Sequence, residues 1–334
     1  MKLFSVTINM YHVIFFTIML LFYAPLAHSV VVKEHGYLAI EHGQLVNQYK
    51  KNISLAGPSL YWSNNGWAGE NFYSKSVIDN VTKLWKASIV RVAIGVDAEG
   101  GYLYYPKDNL KKAFTTIDAA IENDIYVIID WHSHHAEDNP KAAIIFFELM
   151  AKKYGHLPNI IYEIYNEPLK NTDWHSVIKP YSINVISAIR AIDKDNIILV
   201  GSQSWSQDVD IAAKNPITDF NNIAYTLHFY AGTHTEDLRT KAQKALDAGL
   251  ALFVSEWGTV AADGDGEIDY KETEKWLAFM KKNKLSHCSW ALSQLDESSA
   301  MFKAGASITG KWSDDDLTDN GLYLKKIISQ WHIH

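Results

Sequence analysis

The chain has 334 residues, is 48% hydrophobic and 21% charged, and carries 18 glycines and 8 prolines. That balance excludes a disordered polymer, a collagen-type repeat and a disulfide-built mini-protein, and the lone cysteine, Cys288, leaves the fold to be held by burial. A formal net charge of −7 offers no basic face to a polyanion, so nucleic acid is not an expected partner.

The N-terminus comes first in chain order. Lys2 is followed by an uncharged apolar run over residues 13–27, and Ala27-His28-Ser29 supplies small residues at two alternate positions. A basic start, a short apolar core and a small-x-small exit read as a secretory signal peptide over residues 1–29. The apolar run falls short of the roughly 20 residues a bilayer span requires. The expected product is therefore secreted and extracellular, with no stable membrane association after cleavage. Two sequons, Asn52-Ile53-Ser54 and Asn80-Val81-Thr82, become usable in that route. Residues 30–334 show no linker, low-complexity tract or charge block, so one domain is expected, acting as a monomer.

Short β-branched or apolar runs ending in polar or aromatic residues then recur. They cover residues 53–57, 88–94, 125–132, 160–167, 197–202, 223–230, 250–257 and 287–292. Between them, residues 109–123, 142–154, 181–192 and 239–248 place apolar side chains three and four apart, as amphipathic helices do. Near-continuous apolar strands alternating with helices imply a parallel sheet covered on its outer side. Eight such units fit an α/β fold of the (β/α)8 barrel type. A doubly wound open sheet would carry a glycine-rich loop after its first strand, and Gly57-Pro58-Ser59 is not one.

A barrel puts chemistry at the C-terminal ends of its strands. Arg91, His132, Asn166, Glu167, Trp205, His228, Tyr230, Glu256 and Trp290 fall near those ends. Asn166-Glu167-Pro168 closes the fourth run and Glu256-Trp257-Gly258 the seventh, three places apart in a ring of eight, so the two carboxyl groups face across the mouth. Glycoside hydrolysis needs such a pair, one protonated to assist the leaving oxygen and one ionised. The acid member is expected to have its pKa raised by burial. The competing reading is two rim glutamates in surface salt bridges. Glu163, four residues before Glu167 and deeper in the barrel, reads as structural. Arg91, expected at the end of the second strand, would keep a neighbouring carboxylate ionised. The chain also carries 11 Trp, 18 Tyr and 13 Phe, a surplus suited to stacking on sugar rings.

The segments LAGPSLYWS (55–63), DWHSHHAED (130–138), IYEIYNEP (161–168), WSQDVD (205–210), YTLHFYAGTH (225–234) and FVSEWGT (253–259) together resemble glycoside hydrolase family 5 of clan A, in its cellulase-type branch. The similarity runs over about residues 35–330. It implies a retaining β-1,4-glucanase acting on plant polysaccharide, with Glu167 as acid/base and Glu256 as nucleophile. Asn166 would bond the sugar 2-hydroxyl, and Arg91 and Tyr230 would hold Glu256. His132 and His228 would shape the floor of the cleavage subsite, with Trp290 as its stacking platform. Tyr61, Trp62 and Trp205, on rim loops, are further stacking positions. One departure concerns the strand-eight loop, where Leu295 stands in place of the lysine usual in the family. That substitution keeps an endo-β-1,4-xylanase or another β-glycanase such as a mannanase as the alternative, alongside a non-catalytic carbohydrate-binding protein.

Other chemistries fit less well. His132-Ser133-His134-His135 resembles a zinc run but lacks a third ligand on the same face. Asp263-Gly264-Asp265-Gly266-Glu267 has Ile268 where a calcium loop of the EF-hand type needs glycine. Gly201-Ser202-Gln203-Ser204-Trp205 lacks the closing glycine of a nucleophile elbow. No metal or cofactor is expected.

Overall fold

The computed structural model describes residues 30–331. The signal-peptide reading falls on residues outside that range. Among the described residues no helix is long and apolar enough to cross a membrane.

Eight strands close a parallel barrel: β1 (Ala56–Leu60), β2 (Ile89–Gly95), β3 (Tyr126–His132), β4 (Ile160–Glu163), β5 (Ile197–Val200), β6 (Ile223–Tyr230), β7 (Leu252–Gly258) and β8 (His287–Leu292). Each is hydrogen-bonded to its sequence neighbours, and β8 pairs with β1. The outer ring holds α1 (Lys75–Trp85), α2 (Pro106–Glu122), α3 (Pro140–Tyr154), α4 (Lys179–Arg190), α5 (Val209–Lys214), α6 (Glu236–Asp247), α7 (Tyr270–Asn283) and α8 (Asp319–Ser329). Pro at the first turn starts α2, α3 and α4, where a missing N–H costs nothing. Side-chain caps from Ser74, Asp269 and Thr318 start α1, α7 and α8.

Period-two alternation builds two cores from one set of strands. On β2, Val90, Val92 and Ile94 face the helices, where Phe146, Trp257 and Trp276 also lie. Ile89 faces the interior, with Tyr126, Ile128, Ile161, Leu199, Phe253 and Cys288. A short helix (Val31–His35) and a hairpin (Ala39–Glu41 with Gln44–Val46) bring Val32, Leu38 and Leu45 to this inner cluster, and Tyr126 Oη donates to Gly36 O at 2.6 Å. The N-terminal ends of the strands are thus plugged by apolar side chains. This plug was not read from the sequence.

Three differences from expectation bear on the barrel interior. The first strand lies at Ala56–Leu60 rather than 53–57, because Ile53 and Leu55 serve the inner cluster before the ladder begins. Gly57 sits inside it because a Cβ there would meet Ile89 O at 1.7 Å. The fourth strand's ladder stops at Glu163, so Asn166 and Glu167 stand just beyond the sheet. Arg91 is the third residue of β2 rather than its last, and its long side chain carries the charge.

The sequons differ in their settings. Asn80 lies within α1, with Nδ2 donating to Ser76 O at 2.7 Å and Oδ1 accepting from Lys311 N at 3.3 Å. Asn52 is half-buried and forms an isolated bridge with Val46.

Candidate active site

Arg91 is fully buried at the centre of the barrel interior. A bare charge there is costly, and this one is met on every side. Nε donates to Glu163 Oε2 at 2.7 Å, Nη1 to Glu256 Oε2 at 2.8 Å and Nη2 to Asn166 Oδ1 at 2.7 Å, while Asp130 Oδ2 lies 2.9 Å from Nη2. The bond to Asn166 Oδ1 leaves that side chain's Nδ2 as the donor for an incoming hydroxyl. Burial pushes Glu163 up, but the Arg91 charge and the nearby His228 ring outweigh it and lower its carboxyl to about 2. Glu163 is therefore an ionised strut, as its depth suggested.

Glu256 is reached from two directions. Besides Arg91, Tyr230 Oη donates to its Oε1 at 2.8 Å. Glu256 stands beside an irregularity in β7. Thr226 pairs with Phe253 and His228 with Glu256, so two steps along β6 match three along β7. The same extra residue appears against β8, where His287 pairs with Val254 and Ser289 with Trp257. A bulge of this kind breaks the alternation. Phe253 joins the inner cluster, Ser255 and Glu256 both contribute to the interior network, and Trp257 returns to the helix side.

Glu167 projects from the segment after β4. His228 Nδ1 lies 3.0 Å from its Oε1, and His134 Nε2 lies 3.2 Å from its Oε2. Glu167, His228 and Glu256 each place a polar side-chain atom within 4.8 Å of the other two. The proton inventory follows from the partners. Ser255 Oγ donates to Glu163 Oε1 at 2.7 Å, so His228 Nε2, at 2.9 Å, donates to Ser255. A second proton then lies between His228 Nδ1 and Glu167. Burial pulls the His228 ring down, but Glu163, 3.5 Å from Nε2, and Glu167 outweigh it and raise it to about 9. For Glu167, burial pushes the carboxyl up, yet the two histidines hold it below the usual carboxylate range. This reverses the expectation of a raised pKa on Glu167: the shared proton rests on the imidazole.

His132 is different. Burial and the Arg91 charge lower its ring to about 3, so it is neutral at ordinary pH. It lies 2.6 Å from Asp130 Oδ2 through Nδ1, stacks at 6° on Trp290 with centroids 5.3 Å apart, and meets Trp62 edge-on at 4.1 Å. Tyr61 leans on Trp290 at 5.2 Å. Trp205 lies on the opposite wall and is 39% exposed. It sits in a left-handed turn, Ser204 to Ser206, where φ is 58°, 56° and 59°. Such a turn is unfavourable for L-residues and is held by Trp205 N to Pro168 O (2.8 Å) and Ser206 Oγ to Asn166 O (2.8 Å).

All eleven residues singled out in the sequence thus gather at one end of the barrel. Sequence reasoning missed a role for Ser255, which stands inside the FVSEWGT segment, and the contact of His134 with Glu167. It also missed Asp263 and Glu297, which line the cleft from the loops after β7 and β8. The cleft on the Trp205 side encloses about 500 Å3.

A parallel (β/α)8 barrel with two carboxylates opposed at its mouth, among stacked aromatic rings, defines the glycoside hydrolase class. The chain belongs to the cellulase family, glycosyl hydrolase family 5, whose family model matches residues 46–296. It is 52% identical over 290 residues to Endoglucanase Z of Dickeya dadantii, an alignment covering 87% of this chain and 66% of that protein. A Clostridium saccharobutylicum endoglucanase is 43% identical over 309 residues, covering 90% and 67%. The chain thus spans about two thirds of the length of these curated relatives. Among solved structures, one from Cytophaga hutchinsonii matches with a TM-score of 0.87 at 46% identity, covering 90% of this chain and 96% of that one. The catalytic domain of Thermobifida fusca endoglucanase Cel5A matches at 0.85 and 29%, covering 90% and 100%.

Proposed function

We propose that the chain is a secreted, endo-acting β-1,4-glucanase that works by double displacement with retention. The observation that carries this reading is the closeness of the two carboxylates, with oxygens within 4.8 Å. Retaining enzymes use carboxyl groups about 5–5.5 Å apart, whereas inverting ones need about 6.5–9.5 Å to admit a water. Endoglucanase relatives support the substrate class.

In this reading Glu256, paired with Arg91 and oriented by Tyr230, attacks the anomeric carbon as the bond to the leaving oxygen breaks. Sugar filling the cleft removes water from the Glu167–His228 pair, and desolvation favours its neutral form. The proton passes from His228 Nδ1 to Glu167 and on to the leaving oxygen. Asn166 Nδ2 bonds the 2-hydroxyl, and Trp290 supports the ring. Water, deprotonated by Glu167, then releases the sugar from Glu256. Tyr61, Trp62 and Trp205 stack sugars on either side of the cleavage point.

Secretion rests on the N-terminal apolar segment, and the mature chain acts as a monomer free of the membrane. The test is reducing-end release from a neutral soluble β-1,4-glucan beside xylan and mannan, with product stereochemistry followed by NMR. Release from glucan with the β-anomer formed first supports the proposal, and an α-anomer formed first overturns retention. Leu295 favours a second reading, a xylanase or mannanase on the same barrel. Faster cleavage of either polymer would establish it.

A further inference from the structure

The cleft has an electrical character that its catalytic pair does not require. Beyond Glu167 and Glu256, its walls present Asp263 and Glu297, and among the described residues no lysine or arginine lines it. Glu297 is fixed by neutral donors: Tyr61 Oη donates to Oε1 at 3.1 Å and Ser299 Oγ to Oε2 at 3.1 Å. Asp263 Oδ1 accepts from Asp265 N at 3.1 Å, on an exposed loop. The nearby guanidinium, Arg91, is fully buried beneath the cleft and already bound to Glu163 and Glu256. Leu295 brings no compensating charge to the loop that delivers Glu297.

We propose that this wall makes the enzyme selective for uncharged β-glucan, with Asp263 and Glu297 as specificity-determining residues that repel acidic substituents such as carboxymethyl or uronic acid groups. The inference rests on the glucanase reading and deepens it. Tyr61 leans on Trp290 and holds Glu297 through its hydroxyl, so a chain resting on Trp290 carries its substituents toward that carboxylate. Repulsion over that range is weakened by salt, since the screening length falls from about 30 Å at 0.01 M to about 3 Å at 1 M. A neutral chain has no such dependence.

The test is kcat/KM for the wild-type chain on carboxymethylcellulose and on hydroxyethylcellulose, across about 0.01 to 0.5 M sodium chloride. Turnover of the carboxymethylated polymer is expected to rise about 3- to 10-fold with salt, while that of the neutral polymer stays within about 1.5-fold. Asp263→Asn with Glu297→Gln keeps oxygen acceptors for Asp265 N and Tyr61 Oη and removes two charges. It is expected to flatten the salt dependence and raise the carboxymethyl-to-neutral ratio at low salt about threefold or more. Equal salt slopes for the two polymers in the wild-type chain, or a ratio unmoved in a cooperatively folded double variant, would overturn the proposal. Failure to cleave either polymer would overturn the glucanase reading instead. Retardation of the protein in gels cast with each polymer, at low and high salt, would then still report the charge preference.

Discussion

The lower and upper halves of the barrel interior are made from the same strands by the same alternation, yet they do opposite work. Below Arg91, the inner positions hold Ile89, Ile128, Ile161, Leu199 and Phe253, a dry cluster sealed by the N-terminal hairpin. At and above Arg91, they hold Asp130, Glu163, His132, His228 and Tyr230, nearly all buried and nearly all bonded to one another. A buried apolar layer stabilises by area removed from water. A buried polar layer gains little net stability and holds its groups in one arrangement instead. The comparison teaches that the lower half carries the fold's stability and the upper half its chemistry.

Substitutions can break that division or sharpen it. The largest effect is expected from Glu256→Gln, which should lower kcat on the order of 10^4-fold or more while leaving the thermal melt near wild type. Near wild-type hydrolysis by that variant would show that another group is the nucleophile. In the lower half, Phe253→Ala should cost about 3–5 kcal/mol in denaturant unfolding, with kcat per folded molecule nearly unchanged. A large loss of kcat in the folded variant would dissolve the contrast between the halves. For the proton held by Glu167 and His228, the basic limb of the pH–rate profile should lie near pH 9, the raised value of the His228 ring. Activity is present below that pH and lost as the proton leaves above it. His228→Asn passes the proton to a carboxyl whose ordinary pKa is about 4.3, so the limb should shift down by about two units or more. An unmoved limb would mean that His228 is not the proton's store. Smallest is Trp205→Ala on the outer wall. Stacking of this kind is worth about 0.5–1.5 kcal/mol, so kcat/KM on polymer should fall at most about tenfold, with short substrates spared.

Much of this was legible in the chain. The alternation of apolar runs and amphipathic helices announces the barrel, because each strand's helix-facing residues repeat without exception along β2, β3 and β6. The NEP and SEW segments mark Glu167 and Glu256, since both stand where strands end. What stayed hidden depends on contacts between segments distant in sequence. The hairpin beneath the barrel reads as an unremarkable stretch until the ring of strands gives it something to plug. His134 looks like a metal-run histidine until Glu167, 33 positions later, comes within 3.2 Å. The direction of the Glu167 shift needed both histidines in place, for burial alone pushes it the other way. Arg91 was misplaced by half a strand because a sequence records where a Cα sits, not how far a guanidinium reaches.

The bulge in β7 has a consequence for how this chain can change over generations. The one surplus residue lets Ser255 and Glu256, adjacent in sequence, both look inward. A point substitution at Val254 or Ser255 alters a neighbour of Glu256. Deletion of either codon would remove the bulge and restore strict alternation, in which Glu256 still looks inward opposite His228 but no serine accompanies it. Loss of one codon here should therefore spare the placement of Glu256 and take away the Ser255 bond to Glu163.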